Sequence, residues 1–115
     1  MPDRGVRLIF VTGPDAGSLE AIGRVLVEAR LAACVNVCRG VTSVYRWEGR
    51  VNTESEALAI IKTTDDRVEA LQVRVAELHP YEVPEFVAVE VSEGSPAYLR
   101  WVRESTAMGS PDVEA

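Results

Sequence analysis

The sequence predicts an α+β domain in which strands and helices follow the order βαββαβ, with one further helix at the end. Two stretches carry apolar residues at a spacing of three and four, which indicates amphipathic helices. The stretches around them are rich in valine, and side chains branched at Cβ favour strands. Glycine and proline separate these stretches and mark the turns. At 115 residues, the chain has the size of a single domain that can bury a core.

Residues 6–12 (VRLIFVT) form the first predicted strand, and the glycines and proline of residues 13–17 form the turn after it. Ser18 is predicted to cap the first helix, because its hydroxyl can accept from the free N–H groups of the first turn. The apolar face of that helix consists of Leu19, Ile22, Leu26 and Ala29.

Residues 34–38 and 41–47 are predicted to form one strand with a bulge or bend at Arg39-Gly40. Gly49 marks a turn, and residues 56–63 form the returning strand. These strands are longer than the usual ~5 to 6 residues. Because so long an arm cannot bury both of its faces in one small domain, we expect it to pack against a partner.

The second helix is predicted to begin at the cap formed by residues 64–66 and to end near His79, since Pro80 disfavours helical geometry before it. Residues 84–91 form the fourth strand, where Pro84 is tolerated at the start. Ser95 and the proline after it open a last helix that runs to about Ser105.

This order predicts a ferredoxin-like fold with right-handed crossovers and both helices on one face of a four-stranded antiparallel sheet. The predicted strand order is 4-1-3-2, which leaves the long second strand at an edge that invites pairing. We expect one domain over residues 1–106 and a disordered tail over residues 107–115.

Composition excludes several classes of protein. Twelve basic and eighteen acidic residues give a net charge of −6, so we expect no nucleic-acid partner. No stretch reaches the ~18 to 20 apolar residues of a membrane span, and Met1-Pro2-Asp3-Arg4 is unlike a secretory leader. Two cysteines cannot build a disulfide scaffold. We therefore expect a cytoplasmic protein with reduced thiols and no membrane partner.

Cys34 and Cys38 point to the same face of the predicted strand. They lie ~13 Å apart at ~3.3 Å per residue, which is too far for a disulfide or for two bonds to one metal ion. The ordinary interpretation is that both are small buried hydrophobic residues.

His79 allows two interpretations. It can cap the end of the second helix, where the helix dipole favours a cation, or it can bind a metal together with Glu82 or Glu85. Cys34 follows the first helix and His79 ends the second, so we expect both at the same end of the sheet. Because they belong to opposite edges, a site that joins them would form most easily between subunits.

Three further residues are candidates for a ligand pocket or an interface. Trp47 lies at the predicted hairpin tip, where an aromatic ring is typical of an interface anchor. Lys62 ends the third strand directly before a helix, which is a possible anion corner. Tyr81 follows His79-Pro80 in the loop before the last strand.

Several long motifs resemble one known family. They are residues 31–36 (LAACVN), 40–49 (GVTSVYRWEG), 62–64 (KTT), 79–85 (HPYEVPE) and 98–101 (YLRW). From about Leu8 to Ser105 the chain is similar to the CutA family of divalent-cation tolerance proteins. This resemblance implies a ferredoxin-like fold and a tight homotrimer like that of the PII signalling proteins, in which the long hairpins pair with neighbouring subunits.

The resemblance also implies a role in tolerance of copper and other divalent cations. Copper is the expected metal and zinc the alternative, at a site that includes Cys34, His79 and Glu85. Two positions depart from the ligands of some bacterial relatives, because Val11 replaces a thiol and Leu78 replaces a histidine. Cys34 and His79 remain, and thiolate and imidazole suit soft and borderline cations.

The resemblance implies no enzymatic reaction. A phosphatase of the acylphosphatase type would need an Arg in the loop after the first strand, and residues 13–17 contain a carboxylate and no basic residue. The remaining alternative is a PII-like binding module for a small anionic effector or a protein partner. In that case Trp47, Lys62 and Tyr81 would line a cleft between subunits.

Overall fold

The computed structural model describes residues 4–108 and contains the predicted order of elements. The strands are β1 (Val6–Gly13), β2 (Cys34–Trp47), β3 (Arg50–Thr64) and β4 (Val87–Glu90). The helices are α1 (Ala16–Glu28), α2 (Val68–Leu78) and α3 (Pro96–Ser105), and a short 3-10 turn (Asp65–Arg67) precedes α2. No helix in the described part of the chain is long and apolar enough to cross a membrane.

The four strands form one antiparallel sheet in the order β2-β3-β1-β4. This is the predicted order 4-1-3-2 counted from the other edge, so the ferredoxin-like topology is confirmed. The strand β1 lies inside the sheet, and β2 forms one edge with fourteen residues.

The main core lies between the sheet and the helices α1 and α2. Alternate residues of β1 and β3 supply the sheet side of this core, as the period of a strand requires. Gly23 lets α1 approach β2 closely, because a Cβ at this position would lie 3.1 Å from the side chain of Val35. The buried members that meet here include Ile9, Val11, Leu19, Ile22, Leu26, Ala57, Ala59, Ile61, Leu71 and Val75.

The opposite side of the sheet carries an apolar surface that the single chain leaves half-buried or exposed. We call it the open sheet face; its apolar residues are Leu8, Phe10, Leu58, Ile60, Val87 and Val89. Strand register brings these residues side by side, with Phe10 between Ile60 and Val87. The helix α3 covers only one end of the sheet, where Val102 packs with Val6 and Ala33.

Two local predictions need correction at the ends of elements. The cap of α1 is Asp15, not Ser18, because the Asp15 carboxylate accepts from the backbone N–H of Ser18 at 2.7 Å. The residue that caps α1 therefore lies three positions earlier in the chain than predicted. The strand β4 has four residues, shorter than the predicted residues 84–91, because it pairs only with β1 over Val87–Glu90.

The hairpin is longer than predicted, and it contains the predicted bulge. The strand β3 begins at Arg50 instead of residue 56, so polar residues near the tip belong to the ladder. The register shifts between Cys38 and Val41, which confirms the predicted bulge. Gly40 lies in the left-handed region with φ +73°, a conformation that favours glycine.

The two ends of the described chain meet beside β1. The Arg103 Nε donates to the carbonyl oxygen of Arg4 at 2.8 Å, and the Arg4 guanidinium donates to the carbonyl oxygen of Thr106 at 3.4 Å. Arg4 also donates a hydrogen bond to Asp66. Burial alone would raise the pKa of the Asp66 carboxyl, but the hydrogen bonds from Thr64 and Arg4 hold this pKa below its usual value. Most of the predicted tail, residues 109–115, lies outside the described residues.

Candidate functional site

His79 is buried directly after α2 and uses both of its ring nitrogens. Its side chain and backbone together are 7% exposed. The Nε2 atom lies 2.7 Å from the carbonyl oxygen of Thr12, and Nδ1 lies 3.0 Å from the backbone nitrogen of Tyr81. A carbonyl only accepts and an amide N–H only donates, so this network assigns a neutral ring with its proton on Nε2. Neither nitrogen has a lone pair available for a metal ion in this arrangement.

The prediction that Cys34 and His79 lie at the same end of the sheet is wrong. Cys34 pairs with Lys62, which pairs with Leu8 near the start of β1, whereas His79 contacts Thr12 near its end. Four residues along β1 separate these levels by ~13 Å. The physical reason is that α1 runs back along β1 and α2 runs forward, so the two helices end at opposite ends of the sheet.

The described residues of one chain do not fit a metal ion. Over residues 4–108, no three His, Cys, Asp or Glu side chains are grouped so that they could hold one. Glu85 lines a cleft beside the hairpin, toward the end of the sheet opposite to Cys34. The predicted metal residues Cys34, His79 and Glu85 are therefore not brought together within one subunit.

Cys34 and Cys38 are both free thiols on the open sheet face. Cys34 is half-buried, and its Sγ lies 3.9 Å from Asn36 Oδ1, which also accepts from Lys62 Nζ. The predicted burial of Cys38 is wrong, since this thiol is exposed on the edge strand. Burial raises the pKa of Tyr98, and an electrostatic contribution from Cys34 raises it further.

A cleft of about 750 Å³ lies between the hairpin and the loop that follows His79. We call it the acidic–aromatic cleft, and its defining residues are Tyr45, Trp47, Glu54, Glu56, Tyr81 and Glu85. The cleft brings together two of the predicted pocket residues, Trp47 and Tyr81. Lys62 is not among its lining residues and lies beside Cys34 instead.

Tyrosine hydroxyls hold two of the carboxylates in the cleft. The Tyr81 hydroxyl donates to Glu56 Oε2 at 2.6 Å, and the Tyr45 hydroxyl donates to Glu54 Oε1. Burial and the hydrogen bond to Glu56 raise the pKa of Tyr81 far above its ordinary value. The hydrogen bond to Glu54 likewise raises the pKa of Tyr45. Both phenols therefore stay protonated, and both carboxylates accept from them.

The cleft carries negative charge without a basic side chain in its lining. Glu82 and Glu85 add two carboxylates from the loop, and no Lys or Arg is present among the described lining residues. Burial raises the pKa of Glu85, and the charge of Glu56 raises it further. The cleft therefore favours a positively charged occupant and repels an anion.

Sequence reasoning missed Glu54, Glu56 and Tyr45 as members of this cleft. Glu54 and Glu56 are two residues apart, so they share one face of β3, and the period of a strand could have shown this. The register that places Tyr45 opposite Asn52 follows from the two-residue turn at Glu48-Gly49. It was missed because the returning strand was predicted to begin only at residue 56, which leaves Asn52 and Glu54 outside the ladder.

A family model described as CutA1 divalent ion tolerance protein matches residues 7–105. The chain belongs to the CutA1 family. This match covers nearly all the described residues, from β1 to the end of α3. It confirms the family that the motifs indicated.

CutA proteins from other organisms are similar to this chain over most of its length. The divalent-cation tolerance protein CutA of Thermus thermophilus is 46% identical over 99 residues, which cover 86% of this chain and 96% of that protein. Protein CutA of Mus musculus is 46% identical over 101 residues, which cover 88% of this chain and 57% of that protein. The chain thus spans little more than half of the longer mouse relative.

Solved CutA1 structures have the same fold. The crystal structure of CutA from Xylella fastidiosa superposes with a TM-score of 0.87 and is 48% identical, covering 90% of this chain and 99% of that one. Its similarity supports the ferredoxin-like, PII-like fold over most of the chain.

Proposed function

We propose that this CutA1 protein acts in the response to divalent cations as a non-enzymatic homotrimer in the cytoplasm. The observation that carries the proposal is the family match over residues 7–105, because the matched family is defined by divalent ion tolerance. We propose no membrane or nucleic-acid partner. The proposed partners of each chain are two further copies of the same chain.

The open sheet face and the hairpin support the homotrimer. Apolar side chains from β1, β3 and β4 form a continuous patch on this face, and such a patch is typical of an interface. Beyond the bulge, Val44 and Val51 on the hairpin are 66% and 65% exposed. The fourteen-residue edge strand β2 offers unpaired backbone groups to a neighbour. Association through these surfaces would bury the apolar side chains and pair the backbone groups that a single chain leaves exposed.

The proposal of metal binding depends on the trimer, because the candidate ligands Cys34, His79 and Glu85 do not come together within one subunit. Cys34 is the ligand with the best support, since its half-buried thiol lies on the open sheet face that a neighbour would cover. Copper is the proposed cation and zinc the alternative, in accord with a thiolate ligand. His79 and Glu85 remain proposed ligands, and His79 would have to give up one of its two hydrogen bonds.

Two measurements test this function. Light scattering coupled to size-exclusion chromatography should give three times the chain mass, and a monomer mass would contradict the assembly. Anaerobic calorimetric titration with zinc(II) and copper(II) should show binding that weakens in Cys34→Ser, His79→Ala and Glu85→Gln. Cys38→Ser is the matched control, because it removes an exposed thiol from the same strand and should leave the titration unchanged. Absence of metal binding by the wild-type trimer would contradict the metal half.

The structure does not support the alternative of a small anionic effector. Lys62, the only basic residue proposed for that pocket, lies outside the acidic–aromatic cleft. The lining of that cleft includes four carboxylates, which would repel an anion.

A further inference from the structure

We propose that Tyr81 gates His79: the imidazole can bind a metal ion through Nδ1 only after the backbone N–H of Tyr81 has left that atom. This inference rests on the proposed response to divalent cations, and it names how one ligand of that response is controlled. It depends on contacts within a single chain and not on the exposure of any surface that a trimer would cover.

The two ring nitrogens of His79 are held in ways that suit different roles. The Nε2 atom donates its proton to the carbonyl oxygen of Thr12 at 2.7 Å. Histidines that bind a metal ion usually donate their other ring N–H to a backbone carbonyl or a carboxylate, which fixes the ring and its tautomer. Nδ1 is then the nitrogen that carries the lone pair. His79 is therefore already oriented as a ligand, apart from the group that occupies Nδ1.

Tyr81 occupies this remaining nitrogen and also covers the ring. Its backbone N–H donates to Nδ1 of His79 at 3.0 Å. The two rings pack with their centroids 4.8 Å apart and their planes inclined by 51°. One lone pair cannot accept from an amide and bind a metal ion at the same time. The closed position of Tyr81 and ligation by His79 therefore exclude each other.

The loop of residues 80–85 is attached in a way that allows Tyr81 to move. It lies between the end of α2 and Phe86, which packs against the main core, and it belongs to no helix or strand. Among the hydrogen bonds of the described residues, only those of Tyr81 tie this loop to its surroundings. One is the bond to His79, and the other joins the Tyr81 hydroxyl to Glu56 Oε2 at 2.6 Å. These two bonds set the balance between the closed and open positions.

This exclusion links the affinity for a metal ion to the contacts of Tyr81. When only a fraction of the molecules has the arrangement that can bind, the apparent affinity falls by that fraction. Linkage is reciprocal, so weakening the closed position should strengthen metal binding, and metal binding should release Tyr81. A residue that only stabilised the fold would not give this inverse relation.

Calorimetric titration of Tyr81→Phe with zinc(II) tests the gate. The substitution keeps the ring and removes the hydroxyl bond to Glu56 that holds the loop closed. We expect the variant to bind zinc(II) about two- to tenfold more tightly than the wild type, as the loss of one hydrogen bond from the closed position predicts. Tyr45→Phe is the matched control, because it removes the corresponding hydroxyl bond to Glu54 on the hairpin and should leave the affinity unchanged.

Amide hydrogen exchange followed by NMR reports on the gate without a substitution. Saturating zinc(II) should speed the exchange of the Tyr81 amide in the wild type, because this amide loses its acceptor on His79. The amide of Asp65 is the internal reference, since it donates to the carbonyl oxygen of Gly5 at 2.8 Å and should exchange at an unchanged rate.

The outcomes separate a failure of the gate from a failure of the proposed function. Zinc binding with an unchanged Tyr81 amide would overturn the gate and leave metal binding intact. Binding by Tyr81→Phe that equals or falls below that of the wild type would do the same. Absence of zinc binding by both proteins would overturn the gate together with the proposed metal binding.

Discussion

His79 joins the end of α2 to the end of β1, with its Nε2 2.7 Å from the carbonyl oxygen of Thr12, 67 residues away in the chain. The same ring accepts the backbone N–H of Tyr81 through Nδ1. One imidazole thus holds a strand end, a helix end and the loop that forms a wall of the acidic–aromatic cleft.

Replacing His79 by Ala should destabilise the protein. The substitution leaves the Thr12 carbonyl and the Tyr81 N–H without their partner in a buried place, and such a loss costs about 1–3 kcal/mol. Urea denaturation followed by circular dichroism should show this decrease in the free energy of unfolding. The control is Tyr81→Phe, which removes only the hydroxyl bond to the half-buried Glu56 and should cost less. An equal or smaller effect of His79→Ala would contradict the bridging role.

Asp15→Ala should destabilise α1 by about 1 kcal/mol, because it removes the carboxylate that caps the first turn. The matched control is Glu20→Ala, which removes a carboxylate paired with Arg39 on the exposed surface. An exposed pair of this kind contributes about 0–1 kcal/mol. Thermal denaturation of both variants measures the difference, and a larger loss in Glu20→Ala would disprove the assignment of the cap.

Ile60→Asp should dissociate the proposed trimer. Ile60 lies in the middle of the open sheet face beside Phe10, and a carboxylate buried there would lack a partner. Light scattering should show a reduced mass, and circular dichroism should show whether the fold persists. Val73→Asp is the control, since Val73 is an exposed apolar residue of α2 away from this face. A trimer mass for Ile60→Asp would mean that the interface lies elsewhere.

Glu85→Gln should raise the thermal stability slightly at neutral pH. Glu85 is exposed overall, but partial burial of its carboxyl in the cleft and the charge of Glu56 raise its folded pKa, so the folded state disfavours the ionised form. The resulting loss of stability is present above the folded pKa and vanishes below the unfolded pKa, where both states are protonated. The difference in melting temperature between variant and wild type should therefore decline as the pH falls through this range. A difference that grows on acidification would contradict the sign of the shift.

The sequence predicts most of the fold because apolar spacing and turn residues report on local structure. The helical pattern from Val68 to Leu78 and the break at Pro80 give α2 its observed end. Asp15 was missed as a cap because both Asp15 and Ser18 are good capping residues, and only backbone geometry distinguishes them.

The candidate site was predictable only in part, because it depends on contacts between distant segments. Trp47 and Tyr81 are predicted to line a cleft between subunits, and the structure places both in one cleft within a single chain. Lys62 lies toward the opposite end of the sheet. The placement of Cys34 and His79 failed because the direction of each helix decides which sheet end its last residue reaches. The two hydrogen bonds of His79 could not be foreseen from a motif.

The contact between Arg4 and the last turn of α3 suits this domain for circular permutation, in which the order of the strands along the chain is changed. Since Arg4 and Thr106 lie side by side, a short linker could join the two ends of the described domain. New termini could then be opened in the tight turn at Glu48-Gly49, far from the main core. Such a circular permutant would place β3 first and β2 last, so that a fused tag would lie at the tip of the hairpin.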